Sequence, residues 1–340
     1  MRKLLIFCVF LCACKQSPDF VTKDFELVTP KQTWLNLDSV KAPIKCLEVV
    51  NHEVIAIDDA NNLLSYNIDT KQTRRIVSEK TAPVDFISPK EIFAVSPSRF
   101  VVYDLTSDSF FEYLRSGNRW SIGKSNQLYF PLHGLPSISP VSGNKFAATS
   151  LNNIEGKIII GKLAPKPVIV KYIGKIDKKT SENKYITGMI NRSSCVYDKW
   201  TNNIFVGNFY SDKVECYGIN GKLKFQIYGP DGFNPVYKVK KVKSDQVFIN
   251  TPDTKDAFIS ITCDKKYVYA LYSGKTISQQ VKDLSKTIFI FNKQGIPIKK
   301  ILVRVDIGLI KADENSHALY CYFIDNNPKT QILVYDTKNL

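Results

Sequence analysis

From about residue 40 onward, short β-branched and aromatic runs alternate with turns rich in Asp, Asn, Gly, Ser and Lys. Runs of this length predict strands, because strand side chains repeat every second residue, and no stretch sustains the longer apolar period of a helix. The strands recur in a fixed order. A short apolar strand is followed by a polar turn and a second strand, as in Lys45 to Val50 with Val54 to Ile57, and Ser194 to Asp198 with Ile204 to Asn208. Third strands follow at Leu64 to Asn67, Val101 to Asp104, Ile158 to Gly161, Val214 to Tyr217, Ile288 to Phe291 and Ile332 to Asp336. Fourth strands follow five of these, at Thr73 to Val77, Phe110 to Leu114, Val168 to Ile173, Leu223 to Tyr228 and Ile298 to Val303.

A unit of four antiparallel strands cannot bury both of its faces alone, whereas six such units in a ring can. The pattern therefore predicts an all-β, six-bladed β-propeller forming one domain over residues 25–340. The sixth copy ends at Leu340 without a fourth strand, and an open strand edge invites association. The strand-like segment from Phe25 to Leu37 precedes the first blade, and part of it is expected to complete the last blade and close the ring. The blade rhythm resembles the six-bladed propellers of the TolB-like and NHL-like type, particularly the exported propeller lipoproteins of Bacteroidetes. Tyr228-Gly229-Pro230-Asp231-Gly232 echoes a Gly- and Pro-containing turn of that group.

The first residues carry a different signal. Arg2 and Lys3 precede an apolar run from Leu4 to Leu11, which is far shorter than the roughly 20 residues that cross a bilayer. The run ends in Leu11-Cys12-Ala13-Cys14, which resembles the lipobox of bacterial lipoprotein precursors. Residues 1–13 then form a signal peptide, Cys14 is the lipidated residue, and 14–24 form a polar tether. Buried acyl chains at about 0.8 kcal/mol per methylene hold such a protein on its membrane. Surface-exposed relatives tend to carry an acidic cluster after the cysteine. Here Asp19 stands alone, which points to a protein of the cell envelope on the outer membrane, facing the periplasm.

The formal net charge of +15 raises the question of an anionic partner. Lysines are spread along the chain, and the densest run, Lys238 to Lys243, is interrupted by valines, which reads as a solvated strand face and not as a nucleic-acid site. Beyond the signal and Cys14, five cysteines remain, none in a CxxC pair or a cluster with histidine, so no metal site and no cofactor are expected. At the starts of the inner strands only Asp85 offers a carboxylate directly, too few oxygens for a hard-cation cage. Asp85 could still pair with Arg192 from another blade as a polar channel pair.

In a propeller the connections between blades and the loops between second and third strands emerge on one face. The long loops, Gly117 to Gly134, Gly174 to Arg192, Gly229 to Lys255 and Ser273 to Lys286, all belong to that set. Binding concentrates on long loops held by a rigid scaffold. The candidate ligand contacts there are Trp120, Tyr129, His133, Arg192, Phe233, Tyr237 and Lys238, aromatics for stacking and cations for carboxylates or phosphates, with Asp85 at the channel. The reading that follows is a membrane-anchored, non-enzymatic binding propeller for a glycan, peptide or envelope protein. The alternative is a propeller hydrolase or lyase acting on a sugar or lactone at the channel mouth. Three or more ionisable side chains at that mouth would favour the enzyme, and an apolar or aromatic groove would favour binding.

Overall fold

The computed structural model describes residues 26–37, 42–76, 86–123, 128–129, 134–152, 155–163, 167–176, 183–243, 245–279, 283–313, 315–323 and 331–340. Strands dominate, and the fold is an all-β propeller. The first sheet holds Ile44–Val50, Glu53–Asp58, Leu63–Asn67 and Thr73–Arg75 in chain order. The third (Ser137–Ser142, Lys145–Thr149, Ile158–Lys162, Val168–Ile173) and the fourth (Ser193–Asp198, Asn203–Asn208, Lys213–Gly218, Leu223–Tyr228) repeat this antiparallel order.

The second sheet departs from the expected assignment. Its strands are Pro89–Ser96, Arg99–Asp104, Ser109–Ser116, Arg119–Ile122 and the two-residue Leu128–Tyr129, which also pairs with Ser109–Ser116, so the runs predicted as third and fourth strands are in fact second and third. The outer strand is the short Arg119–Ile122, hairpinned onto Ser109–Ser116 with Trp120 opposite Arg115. A four-residue strand in a polar stretch carries little periodic signal, which is why it read as loop.

The fifth sheet has eight strands. Phe258–Cys263, Tyr267–Tyr272 and Ser285–Asn292 lead into one 17-residue strand, Pro297–Asp313. The first part of that strand pairs with Ser285–Asn292, and its last part, from Ile307, pairs with Ala318–Phe323. Gln331–Asp336 follows, and the N-terminal strand Gln32–Asn36 lies antiparallel on it, Trp34 opposite Leu333. Glu26–Val28 runs parallel to Lys299, Lys300 and Ile301.

The core is divided into layers between sheets, as strands with two apolar faces require. Ile55 and Ile57 of the first sheet meet Ile92, Phe100 and Val102 of the second. Phe93, Val101 and Phe110 meet Ile138, Phe146 and Ile159 of the third, and Ile158 and Ile160 meet Ile204 and Val206 of the fourth. Phe205 and Cys216 face Phe258 and Ala270 of the fifth. At the end of the chain, Tyr320, Tyr322 and Ile332 pack on Leu47, Val54 and Ala56 of the first sheet. Second strands such as Glu53–Asp58, Asn203–Asn208 and Ala318–Phe323 are buried along their whole length. Packing is close enough that a Cβ on Gly161 would stand 2.4 Å from the Phe146 ring.

All five cysteines from Cys46 to Cys321 are unpaired thiols. Burial pushes each of them up, Cys195, Cys216 and Cys263 to about 12, so they are inert at neutral pH.

Candidate functional site

Two of the long loops fold into elements of their own. Lys184–Ile190 forms a short helix whose N-cap Asn183 accepts a hydrogen bond from the Ile186 amide. Tyr237–Val242 and Asp245–Asn250 form a separate two-stranded hairpin, and this is where the lysine-rich run lies. Residues of alternate parity face opposite ways along it. Phe248 stacks on Tyr237 with ring centroids 5.5 Å apart and meets Tyr210 at 5.4 Å, pinning one face of the hairpin to the fourth sheet. Lys238, Lys240 and Lys241 remain exposed, as the solvated-face reading expects.

Tyr210 connects the hairpin to the channel. Its ring meets Phe209 at 4.9 Å, and the Arg192 guanidinium lies over Phe209 at 4.0 Å. Arg192 and Tyr237 are therefore joined through the buried rings of Phe209 and Tyr210, while Lys238 is exposed on the opposite face of the hairpin from Tyr237. Phe233 sits nearby, packed on the core between the fourth and fifth sheets, with Lys255 over its ring at 5.2 Å and its carbonyl accepting from the Asp212 amide. Asp212 is buried, and its carboxylate accepts from the Asp231 and Gly232 amides at 2.7 and 2.6 Å. Burial dominates those bonds and pushes its pKa up to about 6.

Trp120 is not part of this surface. It is buried on the outer strand of the second sheet, 4.8 Å from Phe100, with its indole N–H donating to Glu53 at 2.7 Å. The loop placement was wrong because hydrophobic burial turned the start of that segment into a strand. Tyr129 pairs through its backbone with Ser109. His133 and Asp85 lie outside the described residues, as does Cys14. The carboxylate found beside Arg192 is Asp283, at 3.5 Å.

The mouth of the central channel is a cavity of about 330 Å³ lined by Lys90, Arg192, Ser193, Ser194 and Asp283. The hydroxyls of Ser193 and Ser194 are buried there without hydrogen-bond partners among the described residues. Lys90 is held below the usual lysine range by burial and by the neighbouring Arg192 charge. Deeper in the channel, Lys311 from the fifth sheet reaches Glu91 at 2.9 Å and Glu48 at 3.3 Å. Burial alone would lower the lysine, but the two carboxylates outweigh it and hold the ammonium firmly charged. Burial raises Glu48, against the pull of Lys311. The three came from the middle of inner strands, not from their starts. A charge inside an otherwise apolar run, as in Cys46-Leu47-Glu48-Val49 or Ile310-Lys311-Ala312, was the available signal. Among the described residues no three His, Cys, Asp or Glu side chains gather as a metal would need.

The profile of the TolB-like 6-blade propeller-like family matches residues 49–315. The chain belongs to this family. No curated protein matches the sequence. This TolB-like chain is similar in structure to a member of the DUF4221 family from Bacteroides vulgatus, with TM-score 0.60 at 12% identity over 92% of this chain and 97% of that one. It is also similar to a protein of unknown function from Bacteroides thetaiotaomicron, with TM-score 0.55 at 9% identity over 92% and 75% of the two chains. A third likeness is to the β-propeller domain of Cps50 (Swd1) from Myceliophteria thermophila, with TM-score 0.52 at 8% identity over 90% and 99%. At such identities the likeness to these structures concerns the fold alone.

Proposed function

We propose that this TolB-like propeller is a lipid-anchored protein of the bacterial cell envelope that binds a glycan, peptide or envelope protein, without catalysis, at the channel mouth beside the fourth and fifth sheets. The observation that supports the reading is the chain of contacts from Arg192 through the buried rings of Phe209 and Tyr210 to Phe248 and Tyr237, which fixes beside the channel mouth a hairpin that the blades themselves do not need.

The proposal takes the ring as six blades, with the 17-residue strand shared by the fifth and sixth and with Gln32–Asn36 as the outer strand of the last. The apolar layer between Tyr322 and Leu47 supports closure, since it joins the last strands to the first sheet. Glu26–Val28 runs parallel to Lys299–Ile301, so the first described strand begins beside the Asn292 to Pro297 turn. That turn lies at the far end of Ser285–Asn292 from Asp283 and the mouth. The first described strand therefore begins on the side of the fold away from the mouth.

The alternative, a hydrolase or lyase acting on a sugar or lactone, is favoured by the number of ionisable groups in and around the channel: Lys90, Arg192, Asp283, Glu48, Glu91 and Lys311. The binding reading takes precedence because Lys311 engages both glutamates, which leaves no free carboxylate pair among the described channel residues for acid and base work.

The test is a thermal-shift screen of the full chain in detergent against glycans, peptides and divalent cations, repeated with Arg192→Ala. The expected result is a ligand that raises the melting midpoint of the parent and not of the variant. Turnover of a sugar or lactone by the parent, abolished in Glu48→Gln, would establish the enzyme instead. Anchoring is read separately, from incorporation of a fatty-acid label into the parent and its loss in Cys14→Ser.

A further inference from the structure

The chain is basic mainly through lysine, with only eight arginines among its 47 Lys and Arg residues. Four of those eight, Arg74, Arg75, Arg115 and Arg119, line one cleft of about 640 Å³ between the outer parts of the first and second sheets. Glu53 is the single carboxylate among the described residues lining it. A lysine surface is what solubility alone supplies. A guanidinium fork is rigid and planar, and it matches carboxylate, sulfate and phosphate two oxygens at a time.

The floor of the cleft is built. Glu53 is buried, and it accepts from the Ser65 hydroxyl at 2.6 Å, from the Trp120 indole at 2.7 Å and from Arg115 Nη2 at 3.0 Å. Arg115 also lies over the Trp120 ring, 5.6 Å from its centroid, so the side chain is held in place by a carboxylate and an aromatic together. Its other terminal nitrogen, Nη1, is buried without a hydrogen-bond partner among the described residues. A buried guanidinium N–H left unpaired costs free energy unless a ligand or water supplies the acceptor. Above this floor Arg74 and Arg75 are exposed on the edge strand Thr73–Arg75, and among the described residues Arg74 bonds the side chain of Gln72, at 3.3 Å. The rest of the lining is neutral and rich in amides and hydroxyls, including Asn67, Thr70 and Asn118. Such groups match the hydroxyls of a sugar ring better than the apolar side chains of a peptide.

We infer that this cleft is a second binding site, separate from the channel mouth, and that it takes an acidic saccharide whose carboxylate or sulfate groups are gripped by Arg74, Arg75 and Arg115. The site stands on the rim between two sheets, so it is open to a chain longer than the cleft itself.

The test is isothermal titration of the full chain in neutral detergent with two acidic oligosaccharides, one carrying uronate carboxylates and one carrying sulfates. Inorganic phosphate, a phosphorylated peptide and a neutral oligosaccharide of equal length are run beside them. The expected result is binding of at least one acidic oligosaccharide, weakened by rising salt, with no binding of the neutral one. Affinity should fall at least tenfold in the double variant Arg74→Ala, Arg75→Ala and stay unchanged in Arg192→Ala. Both substituted arginines are exposed, so an unchanged melting midpoint is expected for the unliganded double variant. A preference between the uronate and the sulfate identifies the oxyanion. Equal binding by the parent and the double variant overturns the inference, as does failure of both acidic oligosaccharides at low salt. A phosphopeptide that binds where the saccharides do not overturns it too.

Discussion

In the central channel Lys311 sits between two carboxylates, while the rim cleft is lined by four arginines and, among the described residues, one carboxylate, which Arg115 engages. Both regions are rich in charge, and both rest on a buried or half-buried carboxylate carried by the first sheet, Glu48 in one and Glu53 in the other. The difference lies in the balance. In the channel the ammonium satisfies groups that its own fold has buried, which is the arrangement of a structural element. In the cleft Arg74 and Arg75 are exposed, and one buried N–H of Arg115 has no acceptor among the described residues. A count of ionisable side chains would rank the two alike, and only the pairing separates a brace from a site.

The comparison breaks most readily at Lys311. Replacing it by alanine leaves Glu48 and Glu91 half-buried together without their counter-charge, at an expected cost of about 3 kcal/mol. Urea unfolding measures that loss. The triple variant Lys311→Met, Glu48→Gln, Glu91→Gln should recover most of it, because nothing charged is then left unpaired. If Lys311→Ala proves neutral and instead abolishes a ligand interaction, the channel is a site and the contrast with the cleft collapses.

A smaller effect concerns the loop side. The folded pKa of Asp212, about 6, stands above its ordinary value of 3.8, so the folded state holds the proton more tightly than the unfolded chain. The stability this contributes is fully present below about pH 4 and is lost as pH rises through 6. Melting midpoints across that window should fall less in Asp212→Asn than in the parent.

Next comes the cleft floor. Trp120→Phe keeps an aromatic ring against Phe100 and removes only the N–H that serves Glu53, for a loss of about 1.5 kcal/mol measured by chemical denaturation. A loss several times larger would mean that the Glu53 network is a folding brace like that of Lys311. Smallest of all, Lys240→Ala on the exposed hairpin should change stability by under about 0.5 kcal/mol. Its ligand affinities serve as a control for nonspecific charge.

Much of the strand order was legible because the signal is local. Blades one, three, four and five show their third and fourth strands at the expected residues, since each inter-sheet layer requires apolar side chains at alternate positions. The second sheet was misread by one strand. Its edge strand Arg119–Ile122 is short and polar, and only the hairpin pairing with Ser109–Ser116 and the pocket around Trp120 make it a strand. Of the candidate contacts, Arg192 and Tyr237 are joined through a chain of rings, Lys238 is exposed on the same hairpin and Phe233 lies nearby, while Trp120 stands apart between the first and second sheets. The rim cleft was invisible in advance, because Arg74 and Arg75 come from one hairpin and Arg115 and Arg119 from another.

The sequence by itself determined the strand repeat and a candidate closing strand, because alternation within a run and the order of runs are properties of neighbouring residues. Only the tertiary structure decided which charges meet. Glu48, Glu91 and Lys311 are hundreds of residues apart at the extremes and converge because inner strands surround a channel. The four arginines converge because two sheets pack face to face. Coulomb energy depends on separation in space, which no one-dimensional pattern records.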